Sequence, residues 1–162
     1  MDNSDNIYDF KKRERRKYER YETEAKVYFR VIYEIKTKVE FQIADKEEGT
    51  LSKKYPAMSK NISAEGLCFI SDRQLKKGDR LYLELYLPKR EQPIRMEGQV
   101  RWSQPASAEE KENNKFETGV KLTVVEGRSV MTSIHYDEAN HLVWSITLES
   151  IFGNFRKLAQ NQ

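Results

Sequence analysis

At 162 residues, 38 % apolar and 34 % charged, the chain can bury one core but is too short for two comfortable domains, and this balance excludes disorder throughout. No apolar run approaches the roughly twenty residues of a bilayer span, and the opening MDNSDN has no apolar signal core, so a cytoplasmic protein is expected. Cys68 is the only cysteine, which excludes an internal disulfide and a thiolate metal cage; within GLCFI it reads as a small core residue.

Residues 1–12 are expected to form a flexible N-terminal arm. It leads into Lys11–Arg20, KKRERRKYER, with seven basic and two acidic side chains. That is a formal +5 against +3 for the whole chain, so the remainder sums to −2 and the positive character is local. Alone, this stretch reads as a solvated helix face, because Arg16 and Arg20 lie four apart among good helix formers. Arg15, Arg16 and Arg20 are also the side chains suited to grip a phosphate or a guanine edge with two parallel bonds.

From Ala25 the pattern alternates: Val27, Phe29, Val31, Tyr33 and Ile35 share one phase, which continues through Val39, Phe41 and Ile43. The run is long for a strand, so either one strand bends or a tight turn falls near Lys36–Lys38, and two strands are the favoured reading. The charged stretch 45–54 reads as a surface insertion, with the longer 36–56 region as its frame. A turn follows at Asn61–Gly66, between two short apolar runs, and another at LKKGD.

Leu81, Leu83, Leu85 and Leu87 alternate with Tyr82, Glu84 and Tyr86 until Pro88 ends the strand. Ile94, Met96, Val100 and Trp102 share a face of the next strand, and Phe116, Val120, Leu122 and Val124 a face of the one after it. Five or more short antiparallel strands with close turns predict a mainly β fold, a small antiparallel barrel or sandwich. From about Asp137, taken as an N-cap, the spacing becomes helical: Trp144, Leu148, Ile151, Phe155 and Leu158 recur at three and four residues. One helix, or two broken near Gly153, is expected to pack its apolar stripe on the barrel or on a second subunit.

Asn61-x-Ser63-x-x-Gly66 is, by itself, an Asx or Ser turn with glycine at its end. Paired with Arg16-x-x-x-Arg20 it resembles the PilZ family of bacterial cyclic di-GMP receptors, in which an arginine pair on an N-terminal arm precedes a barrel bearing Asp/Asn-x-Ser-x-x-Gly. The Gly78-Asp79 turn, EGQVRW at Glu97–Trp102 and TGVKL at Thr118–Leu122 follow in the family's order. The resemblance implies a small PilZ-like antiparallel β-barrel over 13–125, including the arginine segment; the helical extension expected over 126–162 is an addition to the family's pattern.

It further implies a receptor or effector module that orders its arm on cyclic di-GMP and signals to a protein partner. Arg16 and Arg20 would hold guanine O6 and N7 and the phosphates, and Asn61, Ser63 and Gly66 would read the base. Arg15, just before the first motif arginine, points to a stacked pair of ligands. Arg101 and Trp102 are candidates for the pocket rim, although Trp102 shares its phase with core residues. Asn61 stands where the family also uses a carboxylate, and so forgoes a charge-assisted bond.

The alternative is a PilZ-like interaction scaffold that binds no nucleotide. Nonspecific nucleic-acid binding through Lys11–Arg20 is disfavoured by thin aromatic interleaving. An enzyme is not expected, nor a cofactor or metal. His135 and His141 are six apart with no ligand set around them, and no nucleophile elbow, Walker loop or dinucleotide fingerprint occurs.

Overall fold

The computed structural model describes residues 32–106, 114–139 and 142–153. Ten strands and two short helices follow one another: β1 (Tyr33–Glu34), β2 (Lys38–Ala44), β3 (Tyr55–Ile62), β4 (Gly66–Ser71), β5 (Arg80–Tyr86), β6 (Ile94–Pro105), β7 (Phe116–Val125), β8 (Arg128–Ser129), α1 (Val130–Ser133), β9 (His135–Asp137), β10 (Leu142–Trp144) and α2 (Ile146–Phe152). The main sheet runs β3-β2-β5-β6-β7-β4, and β4 pairs back onto β3, closing a six-stranded antiparallel barrel.

Alternation builds the interior. Val39, Phe41, Leu81, Leu83, Leu85, Ile94, Met96, Val100 and Leu122 are all nearly or fully buried and meet in one core, with Phe41 and Phe69 rings 5.0 Å apart. The opposite phase stays outside: the Tyr86 hydroxyl donates to Glu40 Oε1 at 2.7 Å across β2 and β5. That bond, with lesser help from desolvation, pushes the Tyr86 pKa up to about 12.

Two single-residue insertions change this alternation. Between Val100 and Trp102 the β6–β7 register shifts by one, with Arg101 as the extra residue. Trp102 therefore points outward and is 40 % exposed, not in phase with the core as its parity implies. Between Glu97 and Gly98 the shift places Thr123 as the extra residue on β7, so Val125 enters the core in place of Val124, which is half-buried.

No tight turn interrupts the strand before β2. β1 and β2 pair with the same side of β3 in the same direction, Tyr33 opposite Ile62 and Lys38 opposite Met58, and the chain merely kinks at residues 35–37. The buried Ser59 hydroxyl holds the kink by accepting from Thr37 N–H at 2.9 Å and donating to the Ile35 carbonyl. The 36–56 region is likewise not an added loop in its entirety. It contains β2 and the connection to β3, where Asp45 Oδ1 accepts from the Glu47 and Glu48 amides at 2.8 and 3.1 Å.

The C-terminal segment departs most from expectation. Asp137 lies in β9, not at a helix start; β9 and β10 form a hairpin, and the helix begins at Ile146 with Ser145 as its N-cap. The Ser145 hydroxyl accepts from Leu148 N–H at 3.3 Å, and α2 ends at Gly153, whose φ of +68° suits glycine. Ile146 joins the barrel core, with Ile151 and Phe152 packed against it, so the apolar stripe does cover the barrel. Phe155 and Leu158 lie outside the described residues.

Candidate functional site

The β3–β4 turn is built by its own side chains. Ser63 N–H donates to the Gly66 carbonyl at 2.9 Å, and Gly66 N–H donates back to Ser63 Oγ at 3.1 Å, as expected of a Ser turn. Gly66 lies close to its neighbours: a Cβ there would stand 3.2 Å from the Val120 carbonyl oxygen. On β3, Asn61 sits between Glu34 of β1 and Cys68 of β4.

These residues open onto a shallow cleft of about 220 Å³ on the outer surface of β4, β7 and β6. Asn61, Ser63 and Gly66 line it together with Arg101, Trp102 and Lys121, the last beside Gly66 on the neighbouring strand. The bulge at Arg101 makes this possible, because it turns two successive side chains, Arg101 and Trp102, to the outside. Trp102 covers Gly119: a Cβ on that glycine would stand 2.3 Å from an indole atom. Cys68 is buried as expected, but on the outward phase of β4, among the residues lining the cleft and apart from the barrel's main core cluster.

Five of the expected site residues thus come together: Asn61, Ser63, Gly66, Arg101 and Trp102. Arg15, Arg16 and Arg20 lie outside the described residues. Lys121, Glu65 and Ile32, which pattern reading did not single out, also line the cleft, so its two cations face one carboxylate. Lys121 was legible in principle: it follows TGV directly, and its register partners are Gly66 and Gln99. Ile32, 60 % exposed at the start of the described chain, precedes β1, which pairs beside Asn61.

The PilZ domain model matches residues 14–136, more than half of the chain. The chain belongs to the PilZ domain family. That is a family of cyclic di-GMP receptors, and PilZ domains are ligand-binding and adaptor modules. The match begins before the arginine pair and runs past residue 125 into β9, so it takes in the motif turn, the cleft and part of the C-terminal segment. No curated protein matches the chain in sequence. Among solved structures it is similar to the Bacillus subtilis inhibitor of motility, MotI/DgrA, at 21 % identity with a TM-score of 0.43. The likeness covers 59 % of this chain and 42 % of that one, so this PilZ chain spans less than half of the other's length.

Among the described residues no group of three or more His, Cys, Asp or Glu is placed to hold a metal ion, and no helix is long and apolar enough to cross a membrane. His135 is exposed, with Nδ1 3.1 Å from the Ser133 carbonyl.

Proposed function

We propose that this chain is a cyclic di-GMP receptor module. The observation that carries the reading is the opening of the Asn61–Gly66 turn onto a cleft that also presents Arg101, Trp102 and Lys121. An amide, a hydroxyl and a close backbone suit a base edge; two cations, which outnumber the single carboxylate of Glu65, suit a phosphate, and an indole suits a stacked ring. At about 220 Å³ the cleft is smaller than the roughly 300 Å³ at which small-molecule pockets begin. It is therefore half of a site, and the arm supplies the other half.

Ile32 lines the cleft, and Arg20 is twelve residues earlier, a tether of up to about 40 Å when extended. Arg16 and Arg20 then close over the ligand with bidentate contacts to guanine O6 and N7, and Arg15 adds the charge that neutralises a second, stacked ligand. The arm is ordered at the expense of those contacts and presents a new surface to a protein partner.

Calorimetric titration of the full chain with cyclic di-GMP tests this, beside Arg16→Ala and Arg20→Ala. Saturable binding in wild type, two ligands per chain and a loss of at least tenfold in either variant are expected. No binding by wild type, or undiminished binding in both variants, overturns the assignment. One ligand per chain, unchanged in Arg15→Ala, removes the stacked pair alone.

A further inference from the structure

The Asn61–Gly66 turn has two sides. Asn61, Ser63 and Gly66 line the cleft, while Ala64, in the middle of the same turn, is 2 % exposed and packs with Val143 of β10 and Leu148 of α2 in a small second core. Tyr33, Ile134, Tyr136 and Phe152 surround that cluster. The Tyr33 and Phe152 rings lie 5.2 Å apart at 58°, a tilted pair of favourable geometry. Tyr33 in turn pairs with Ile62, and its neighbour Glu34 with Asn61, so α2 touches both elements that frame the cleft: the motif turn and the strand by which the chain reaches it.

The helix is anchored by contacts that do not involve the turn. Ile146 N–H donates to Ser133 Oγ at 2.9 Å. Arg90, in the β5–β6 connection, donates to the Ser150 carbonyl at 3.3 Å and binds Glu126 at 2.7 Å. Arg128 Nη1 stands 4.0 Å from Glu149 Oε2. The turn has two hydrogen bonds of its own and one from β7, Leu122 N–H to the Glu65 carbonyl at 2.7 Å, and behind Ala64 it is backed by a helix that is held through separate contacts.

Resting on the receptor reading above, we propose that the β9–β10 hairpin and α2 are the rear wall of the ligand site, with Leu148 and Phe152 as positioning residues that set the Asn61–Gly66 turn and β1. The ligand touches neither residue. Both act by holding Ala64 and Tyr33, so that Asn61 and Ser63 are presented before the nucleotide arrives, which spares the binding energy an ordering cost. Linkage requires the converse, that ligand in the cleft steadies the hairpin and helix.

The test uses the full chain as wild type, Phe152→Ala and Phe152→Leu, with two measurements: cyclic di-GMP affinity by calorimetry, and amide hydrogen exchange with and without the nucleotide. Phe152→Ala is expected to lower affinity about tenfold, within the usual range of couplings between sites. It is also expected to speed ligand-free exchange at residues 61–66 while β5 and β6 keep their protection, and Phe152→Leu recovers most of both effects. In wild type, added nucleotide slows exchange at residues 142–152.

Unchanged affinity and unchanged exchange at 61–66 in Phe152→Ala overturn the proposal while leaving the receptor reading intact. So does saturating ligand that leaves 142–152 unprotected in wild type, a measurement that needs no variant. If wild type binds no cyclic di-GMP the receptor reading fails. Ligand-free exchange at 61–66 in Phe152→Leu and Phe152→Ala then decides the positioning role: acceleration graded with the size of the truncation supports it, and wild-type exchange overturns it.

Discussion

The indole of Trp102 occupies the space that a side chain on Gly119 would need: a Cβ there would stand 2.3, 2.5 and 2.6 Å from three indole atoms. Gly119→Ala must therefore displace the ring from the cleft wall. The expected outcome is a loss of cyclic di-GMP affinity of several-fold and a stability cost of about 1–3 kcal/mol in urea denaturation. Tryptophan emission should change as well, and the change belongs to Trp102 because Trp144 is 7 % exposed and elsewhere. Wild-type affinity with a shifted emission would take Trp102 out of the ligand site.

Asn61 presents an amide where a carboxylate would accept a charge-assisted bond from a guanine N–H. Such bonds are roughly twice as strong as neutral ones. Asn61→Asp should tighten binding several-fold at pH 7 by calorimetry, with the fold unchanged by circular dichroism. Weaker or equal binding would mean that residue 61 does not read the base.

Ser59 is 1 % exposed, and its hydroxyl both accepts from Thr37 N–H and donates to the Ile35 carbonyl. Ser59→Ala strands these two backbone groups in a poorly hydrated place. A destabilisation of about 1–3 kcal/mol is expected from the urea midpoint. Since the kink leads through β1 to the cleft, exchange at residues 33–35 should accelerate ahead of global unfolding.

Tyr86 titrates at about 12, chiefly because its hydroxyl donates to Glu40. Its folded pKa lies above the unfolded value near 10, so its contribution to stability is complete below about pH 10 and is lost as the pH rises towards 12. In an alkaline absorbance titration, Tyr86→Phe should remove one late-titrating phenol. It should also flatten the fall in stability between those pH values.

Strand parity carried most of the barrel: Val39 and Phe41 on β2, the leucines of β5, and Ile94, Met96 and Val100 on β6 all lie where alternation puts them. Parity fails after a single extra residue, and an inserted Arg101 or Thr123 looks in the sequence like any other outward residue. Only the partner strand's register reveals the change of phase, and it is this change that delivers Trp102 to the cleft.

The C-terminal segment defeats pattern reading for a related reason. Strands of three residues supply barely one period of alternation, whereas Trp144, Leu148 and Ile151 recur at helical spacing across the strand-to-helix boundary. Only the last two lie in the helix. The turn at Asn61–Gly66 was legible because its chemistry is local: Ser63 and Gly66 bond each other within four residues.

Ring closure between β3 and β4 also limits how another protein can engage this one. Apart from the end of β6 beyond Gln99, which follows β7 alone, each of the six barrel strands has a hydrogen-bonded neighbour on both flanks, so a partner cannot dock on the rest of the ring by strand addition. Recognition of the barrel has to read side chains, at the outward rows or at the two mouths. Among the described residues the short strands outside the ring, β1, β8 and those of the β9–β10 hairpin, are what remain for backbone pairing.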